Sequence, residues 1–410
     1  MQTISEVRDG LKETEIGLIP SDWDIKQLRE ILNLSNGRRP EFTERGVYPV
    51  FGANGIMGHS NNFLTDNDFT LIIGRVGASG QVHLASGRIW VSDNAIYSRT
   101  YDKIKIDLRF LYFLLKEIDL SRYATKTTHP LITQSFLNSF KIPLPDLPEQ
   151  RNIAFVLSKI QQAIQQQDKI IEATKNLKKS LMQKLFTEGT RGEEQKETEI
   201  GLMPKSWKVL SLSEIVEKTA IIDPRKNPEI IFKYIDVSSI SREYLIINEY
   251  KEYKGRDAPS RARKAVKEGD IIFATVRPSL KRIAIIPESF DGEICSTAFC
   301  VIRCKKDVAL PEFVFYYILT DGFVKRVSEL QKGTNYPAVT DSDVLAQKIP
   351  LPKISEQQQI VESLSMVDRK MLAEERRKVV LQQLFKTTLN KLMTGEIRVK
   401  DLDLGVINVS

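Results

Sequence analysis

Two stretches of this 410-residue chain are written twice, and their spacing limits what the chain can fold into. Residues 12–23 read KETEIGLIPSDW, and residues 196–207 read KETEIGLMPKSW. Nine of the twelve positions match, at an offset of 184. A second match joins KIPLPDLPEQRNIAFVLSKI from Lys141 to KIPLPKISEQQQIVESLSMV from Lys348. Ten of those twenty positions match, at an offset of 207. That offset already pairs Thr127, Pro130 and Thr133 with Thr334, Pro337 and Thr340, and it still pairs Leu185 and Thr187 with Leu392 and Thr394. The ends of each copy agree while the middles, 117 residues from 24 to 140 and 140 residues from 208 to 347, differ. The surplus of the second middle lies upstream of about Thr334. Repeated units at a fixed period point to one supersecondary scaffold used more than once. Here the scaffold is kept and the centre is exchanged, as expected for two heads of different specificity. A duplicated enzyme would place its reactive groups in the shared parts, and these are Pro-rich joints and helix. The tail TGEIRV and the start RDGLKETEIG also resemble two pieces of the linker TEGTRGEEQKETEIG, which predicts that the chain ends meet.

Pro143, Pro145 and Pro148 interrupt regular structure before Glu149, and no Gly or Pro follows until Gly189. Ile153, Leu157, Ile160, Ile164, Ile171, Leu181 and Leu185 recur at helical spacing across that stretch. Ser355 to Thr394 repeats the register with Ile360, Leu364, Val367, Met371, Leu381, Phe385 and Leu392, and Gly395 ends it. Each helix is predicted to be ~60 Å long at 1.5 Å per residue. Gln- and Lys-rich outer faces leave one apolar stripe to bury, worth roughly 1.5–3 kcal/mol per apolar side chain. The expected partner of each helix is the other, packed antiparallel as a twofold copy dictates. Gln167, Thr174 and Glu374 interrupt the stripe and are candidates for setting register. A competing arrangement packs each helix on its own head.

The middles read as strand and turn. Phe69–Gly74, Gln81–Ala85 and Arg88–Val91 are predicted strands of the first head. Asp270–Val276, Arg282–Ile286 and the alternating CSTAFCVIRC are predicted for the second. FLYFLLKEI and FVFYYILTDGF are predicted helices. Each hairpin carries an arginine at its turn, Arg75 or Arg277. A polar loop follows in each head, TKTTHP or QKGTNYP, with Arg122, Lys126 and His129 around the first and Arg326, Lys332 and Tyr336 around the second. The second head adds Arg261, Arg263, Lys264, Lys281 and Arg282. Cations of this kind neutralise phosphates, and an arginine or lysine can also read a guanine edge. These residues are the candidate DNA contacts.

The remaining features exclude more than they assign. The net charge of +7 and pI near 9.0 suit an acidic partner without specifying one. The start has no apolar signal core, and the longest apolar runs, 110–115 and 313–319, are too short to span a bilayer. Cys295, Cys300 and Cys304 lack metal-ligand spacing, so reduced thiols in a cytoplasmic protein are expected, with no metal. His59, His83 and His129 stand in unrelated contexts and build no catalytic triad. GRVGASG lacks the Gly-Lys-Ser/Thr of a phosphate loop. DPRKNPEI and PDLPEQR match neither an amino-methylation nor a nuclease motif. The residues describe a binding scaffold with no catalytic group and no cofactor of its own.

Taken together, EIGLIPSDW at 15–23, EIGLMPKSW at 199–207, and the IPLP…EQ joints at 142–150 and 349–357 resemble the specificity subunits of type I restriction-modification systems. FGANGIMGHS with IIGRVGASGQV, and GDIIFATVRPSLKRIAII with QKGTNYPAVT, are similar to heads of that family. The resemblance covers nearly the whole chain. It implies an α+β fold with two globular target recognition domains, residues 1–147 and 191–353. These alternate with two long antiparallel coiled-coil helices, 148–190 and 354–395, before a tail at 396–410. It implies double-stranded DNA as ligand, each head reading half of a split site and the helix pair acting as spacer. It also implies two methyltransferase subunits, which bring S-adenosylmethionine, and motor-nuclease restriction subunits as partners. Two other readings remain open on the same residues. One is a specificity subunit of a related type II system, and the other is a coiled-coil scaffold with no DNA role.

Overall fold

The computed structural model describes residues 10–126, 128, 130–333 and 337–400. The chain forms two compact units, Met1–Lys169 with Arg376–Ser410, and Ile170–Glu375. Each unit holds one head and part of each long helix. The helices run Leu147–Glu188 and Ile354–Met393. The first begins at Leu147, one residue before the expected 148, and Pro148 falls in its first turn. There a missing N–H leaves no bond unmade. Among the described residues no helix is long and apolar enough to cross a membrane.

The repeated motifs build the same joint in both units. Leu11–Thr14 and Gly17–Pro20 form a hairpin, as do Gln195–Thr198 and Gly201–Pro204. Asp24–Gln27 pairs antiparallel with Lys141–Leu144, and Lys208–Ser211 with Lys348–Leu351. The two ends of each head are thereby clamped where a long helix starts. Trp23 donates from Nε1 to Glu149 at 3.0 Å, and Trp207 to Glu356 at 3.1 Å, all four side chains being buried. Gln150 donates to the carbonyls of Lys105 and Pro145 and accepts from Asp107 N. Gln357 does the same with Val308, Pro352 and Leu310. Buried polar groups must be paired, so the tryptophan and the Glu-Gln pair recur together in the sequence because each satisfies the other's surroundings.

The first head carries a six-stranded sheet in the order Leu32–Asn36, Ala95–Tyr101, Thr65–Gly74, Val82–Val91, Tyr48–Gly52, Gly55–Ser60. All neighbours are antiparallel except Val82–Val91 with Tyr48–Gly52. Two strands expected at 81–85 and 88–91 are therefore one. The second head divides the corresponding strands between a four-stranded and a three-stranded sheet. The counterpart of Val82–Val91 is broken into Ile283–Ile285 and Ile294–Ser296. Pro287, which cannot donate to a ladder, and the 3-10 turn Glu288–Phe290 stand between them. Most of the surplus residues of this head fall between Ile235 and Phe273, where the bridge Ile240–Ile247 is added, while the edge strand Lys251–Lys254 pairs with Ile231–Ile235 as Gly55–Ser60 does with Tyr48–Gly52.

CSTAFCVIRC is not one alternating strand. It turns at Thr297 and enters the second sheet, and all three cysteines are buried. Burial pushes the thiols of Cys295 and Cys304 up to about 12 and that of Cys300 higher still, which holds them protonated. FVFYYILTDGF is two helices, Pro311–Ile318 and Asp321–Glu329, because the Thr320 side chain caps the second by accepting from Phe323 N.

The long helices pack antiparallel, and their ends also enter the head cores. Ile153 and Leu157 join Leu389, Leu392 and Met393 in the core of the first head, with Phe385 edge-on to Phe113 at 5.9 Å between centroids. Ile360 and Leu364 join Leu185 and Phe186 in the core of the second, where Phe186 meets Phe313 and Tyr317. Pairing with the other helix and packing on a head are thus both realised, at different points of the same stripe. Between these ends Ile160, Ile164, Leu181, Val367, Met371 and Leu381 are half-buried, and Ile171 is buried. The polar breaks Gln167 and Thr174 are buried too, and Thr174 donates to the Ile170 carbonyl at 2.8 Å. Asp168–Lys378 in the first unit, and Lys178–Asp368 and Lys175–Glu375 in the second, bridge the pair. Such partly exposed bridges add little stability. A polar replacement at half-buried Ile164 is expected to cost about 1 kcal/mol of buried apolar area, read as a small drop in Tm.

The ends themselves, 1–9 and 401–410, lie outside the described residues, but the segment before the second of them joins the first unit's joint. Arg398 makes a bidentate bond to Glu149, 2.7 Å to each oxygen, and a second to Asp22 at 3.0 and 2.9 Å. Asn152 donates to the Val399 carbonyl. In the second unit the backbone N–H of Thr190 takes the matching place on Glu356 at 3.1 Å.

Candidate DNA interface

Both heads end their strands in the same set of turns. In the first, Thr65–Gly74 leaves the sheet through 75–80 and returns as Val82–Val91. Val76 bridges Leu131, and the Arg75 carbonyl accepts from Ile132 N at 3.0 Å. The polar loop is therefore stitched to the Arg75 turn, as is the Ser92–Asn94 turn, whose Asn94 carbonyl accepts from Arg75 N at 2.8 Å. The 52–55 turn is held alongside by His83, whose Nε2 lies 3.1 Å from the Ala53 carbonyl. In the second head Val276 bridges Ala338, and the Thr275 carbonyl accepts from Val339 N. The Ala298 carbonyl accepts from Thr275 N, and Arg282 Nη1 donates to the Val237 and Ile240 carbonyls at 2.8 Å each. Turn for turn, the constructions match.

Several sequence candidates gather on these turns. In the first head Arg75, Arg122 and Lys126 surround the polar loop. Arg122 is exposed and pairs with Asp119 at 3.2 Å, Lys126 is exposed, and Arg75 is half-buried. In the second, exposed Arg277 donates its N–H to the Pro337 carbonyl, exposed Lys332 pairs through its backbone with Ala338, and the carbonyl of exposed Arg261 accepts from Thr297 N. His129 and Tyr336 lie outside the described residues.

Five cations of the second head serve the fold instead. Lys264 is buried, bonded to the Phe299 carbonyl and to Asp341. Arg263 pairs with Asp223, whose carboxyl Arg225 and Arg263 hold far below its ordinary range. Lys281 reaches the Leu319 carbonyl at 2.8 Å and Asp321 at 2.7 Å, and lowers the Asp321 carboxyl. Arg282 closes the carbonyl end of the 3-10 turn Val237–Ser239. Arg326 binds the Lys348 carbonyl at 3.1 Å. Carboxylates hold Lys264, Arg263 and Lys281, and backbone carbonyls hold Arg282 and Arg326, all brought to them by the fold.

Two arginines escaped the sequence reading. Arg38 and Arg39 are exposed, beside the 91–92 turn, to which Arg38 N donates at the Val91 carbonyl, 2.9 Å. NGRRP, a turn dipeptide followed by adjacent arginines, was the signal available. Asn54, Asp93 and Asn94 are also exposed on the first-head turns, and Thr297 on the second.

Two different loop sets on one repeated scaffold, joined by long helices, define a two-headed recognition protein. The sequence profile of the type I restriction modification DNA specificity domain matches residues 20–175 and 204–383, and the chain belongs to that family. It is 28% identical to the type I restriction enzyme MjaVIII specificity subunit of Methanocaldococcus jannaschii, over 96% of this chain and 97% of that one. It is 24% identical to the type I restriction enzyme EcoDI specificity subunit of Escherichia coli, over 84% and 81%. Its fold is shared with the crystal structure of the type I restriction-modification S subunit from M. genitalium, with TM-score 0.63, 18% identity, and 95% and 98% of the two chains covered.

Proposed function

We propose that this chain is the DNA-reading subunit of a type I restriction-modification complex, itself non-catalytic. Each head reads one half of a bipartite site, and the helices fix the spacer between halves. The observation that carries this reading is the pairing of corresponding turns, bonded alike, with different exposed side chains. Asp93 of the first head corresponds to Thr297 of the second, and Gly77 to Arg277. A twofold scaffold suits a duplex, on which half-sites are met at fixed separation. Exposed cations on the turns supply phosphate affinity. Methyltransferase subunits, carrying S-adenosylmethionine, dock along the helices and flip an adenine from the stack, and motor-nuclease subunits join them for cleavage. Apolar side chains left exposed on the helices favour such docking: Leu177, Met366 and Leu372 in the second unit, and Val379, Val380 and Leu384 in the first.

Co-expression with the methyltransferase subunit, followed by single-molecule sequencing for methylated adenines, tests the reading. The expected result is a split motif that disappears when this chain is omitted. Exchanging residues 24–140 for another head is expected to change one half only. Methylation indifferent to the chain, or both halves altered by one exchange, would overturn it.

A further inference from the structure

We propose that Arg38 is a DNA contact of the first head, and that a hydrogen bond from the Trp90 indole to its carbonyl fixes the point from which its side chain reaches out. The inference rests on the reading of the heads as DNA-binding.

The chain leaves the strand Leu32–Asn36 beside the Ser92–Asn94 turn. Gly37 N donates to the Ala95 carbonyl at 3.0 Å, and Arg38 N to the Val91 carbonyl at 2.9 Å, so two consecutive N–H groups bracket that turn. The Arg38 carbonyl in turn accepts from Trp90 Nε1 at 2.9 Å. Both backbone polar groups of Arg38 are thereby fixed. Gly37 stands so near the turn that a Cβ on it would collide with the carbonyls of Val91 and Ser92. Close approach of this kind is open to glycine alone. Two residues on, Pro40 confines Arg39 to extended backbone. Within the turn Ser92 is buried, while Asp93 and Asn94 at its tip are exposed.

The fold therefore holds the backbone of Arg38 and leaves its side chain outside. Arg38 is exposed, and its guanidinium makes no hydrogen bond, ion pair or ring contact among the described residues. The second head reaches the same placement from another element. Thr297, the counterpart of Asp93, donates its N–H to the Arg261 carbonyl at 2.9 Å, and exposed Arg261 directly precedes the strand Ala262–Ala265. Each head thus bonds the backbone of an exposed arginine to its central turn, although different segments supply the two residues. A shared scaffold does not account for that recurrence, whereas a shared ligand does. An arginine offers a bidentate fork to a guanine edge or to a phosphate, and a fixed backbone lowers the ordering cost of making that contact.

Arg38→Ala and Trp90→Phe, alone and combined in the full chain, test this when co-expressed with the methyltransferase subunit. The readouts are the methylated motif, the affinity of the purified complex for a duplex carrying it, and Tm. The Tm of Arg38→Ala is expected to stay within about 2 °C of wild type, while DNA recognition falls. If the arginine reads a base, one position in the half set by residues 24–140 becomes degenerate, with roughly a 10-fold or larger loss of discrimination. If it binds a phosphate, the motif is unchanged, but affinity drops uniformly and the salt dependence weakens by about one contact. Trp90→Phe keeps the charge and removes only the indole donor. A smaller loss of the same kind is expected from it, and none beyond that of Arg38→Ala in the combined variant, because the indole acts through the arginine. An equal loss from Trp90→Phe with and without Arg38 would overturn the positioning role. Wild-type motif and affinity in Arg38→Ala would overturn the contact. So would a clearly lowered Tm in that variant, since the arginine would then serve the fold. Failure of the wild-type chain to direct any motif would instead refute the DNA reading beneath the proposal.

Discussion

Leu364→Asp is expected to unfold residues 170–375 at temperatures where the wild-type chain is intact. Leu364 is fully buried in the core that joins the second long helix to the second head. Truncation of such a leucine alone costs about 2–5 kcal/mol. A carboxylate at the same point adds the penalty of an unpaired buried charge, and the total approaches the ~5–15 kcal/mol that holds an ordinary domain together. Limited proteolysis checks this, with new cleavage confined to 170–375 as the expected pattern. Val367→Asp, three residues on at a half-buried place, should be far milder. Equal damage from both would mean that the helix seam, and not the head core, is what Leu364 supports.

Arg398→Ala is the second large effect. It strips both charged bonds from the buried carboxylate of Glu149, which is then left with Trp23 alone. Removing one partner of a buried pair costs about 3 kcal/mol or more, or roughly 6–12 °C of Tm for a unit of this size. The difference from wild type should depend on pH. Arg398 lowers the Asp22 carboxyl from 3.8 to about 2. A depressed carboxyl stabilises above its unfolded value, and the contribution fades as pH falls through the folded one. The gap between variant and wild type should therefore be full above pH 4–5 and narrow between pH 4 and 2. Asp22 is partly exposed, so its share is the smaller part of the loss. A gap independent of pH would remove Asp22 from the account.

The frame of this molecule was legible because the chain states it twice. The tryptophan, the IPLP strand and the Glu-Gln pair recur at matched offsets, and in each unit they meet in one joint. Helical spacing likewise located Ile153, Leu157, Ile360 and Leu364. It did not reveal that these residues pack on the heads, since a stripe carries no mark of what covers it. The head surfaces were least legible. Lys264 and Arg263 read as free cations until the fold brought Asp341 and Asp223 to them. Arg75 and Arg277 looked equivalent in sequence, yet the strand registers align Arg277 with Gly77 and Arg75 with Thr275. A lysine or arginine in sequence carries no record of its distant carboxylate.

The discontinuity of the first unit bears on how the protein is made. Residues 170–375 are contiguous, so the second unit has all of its core as soon as that stretch leaves the ribosome. The first unit has been synthesised long before, but Leu389, Leu392 and Met393 complete its core, and Arg398 neutralises its buried Glu149. Translation thus inverts the usual order, in which N-terminal domains fold first. The head at the start of the chain closes last, and a transcript cut short near its end yields one finished head and one left open.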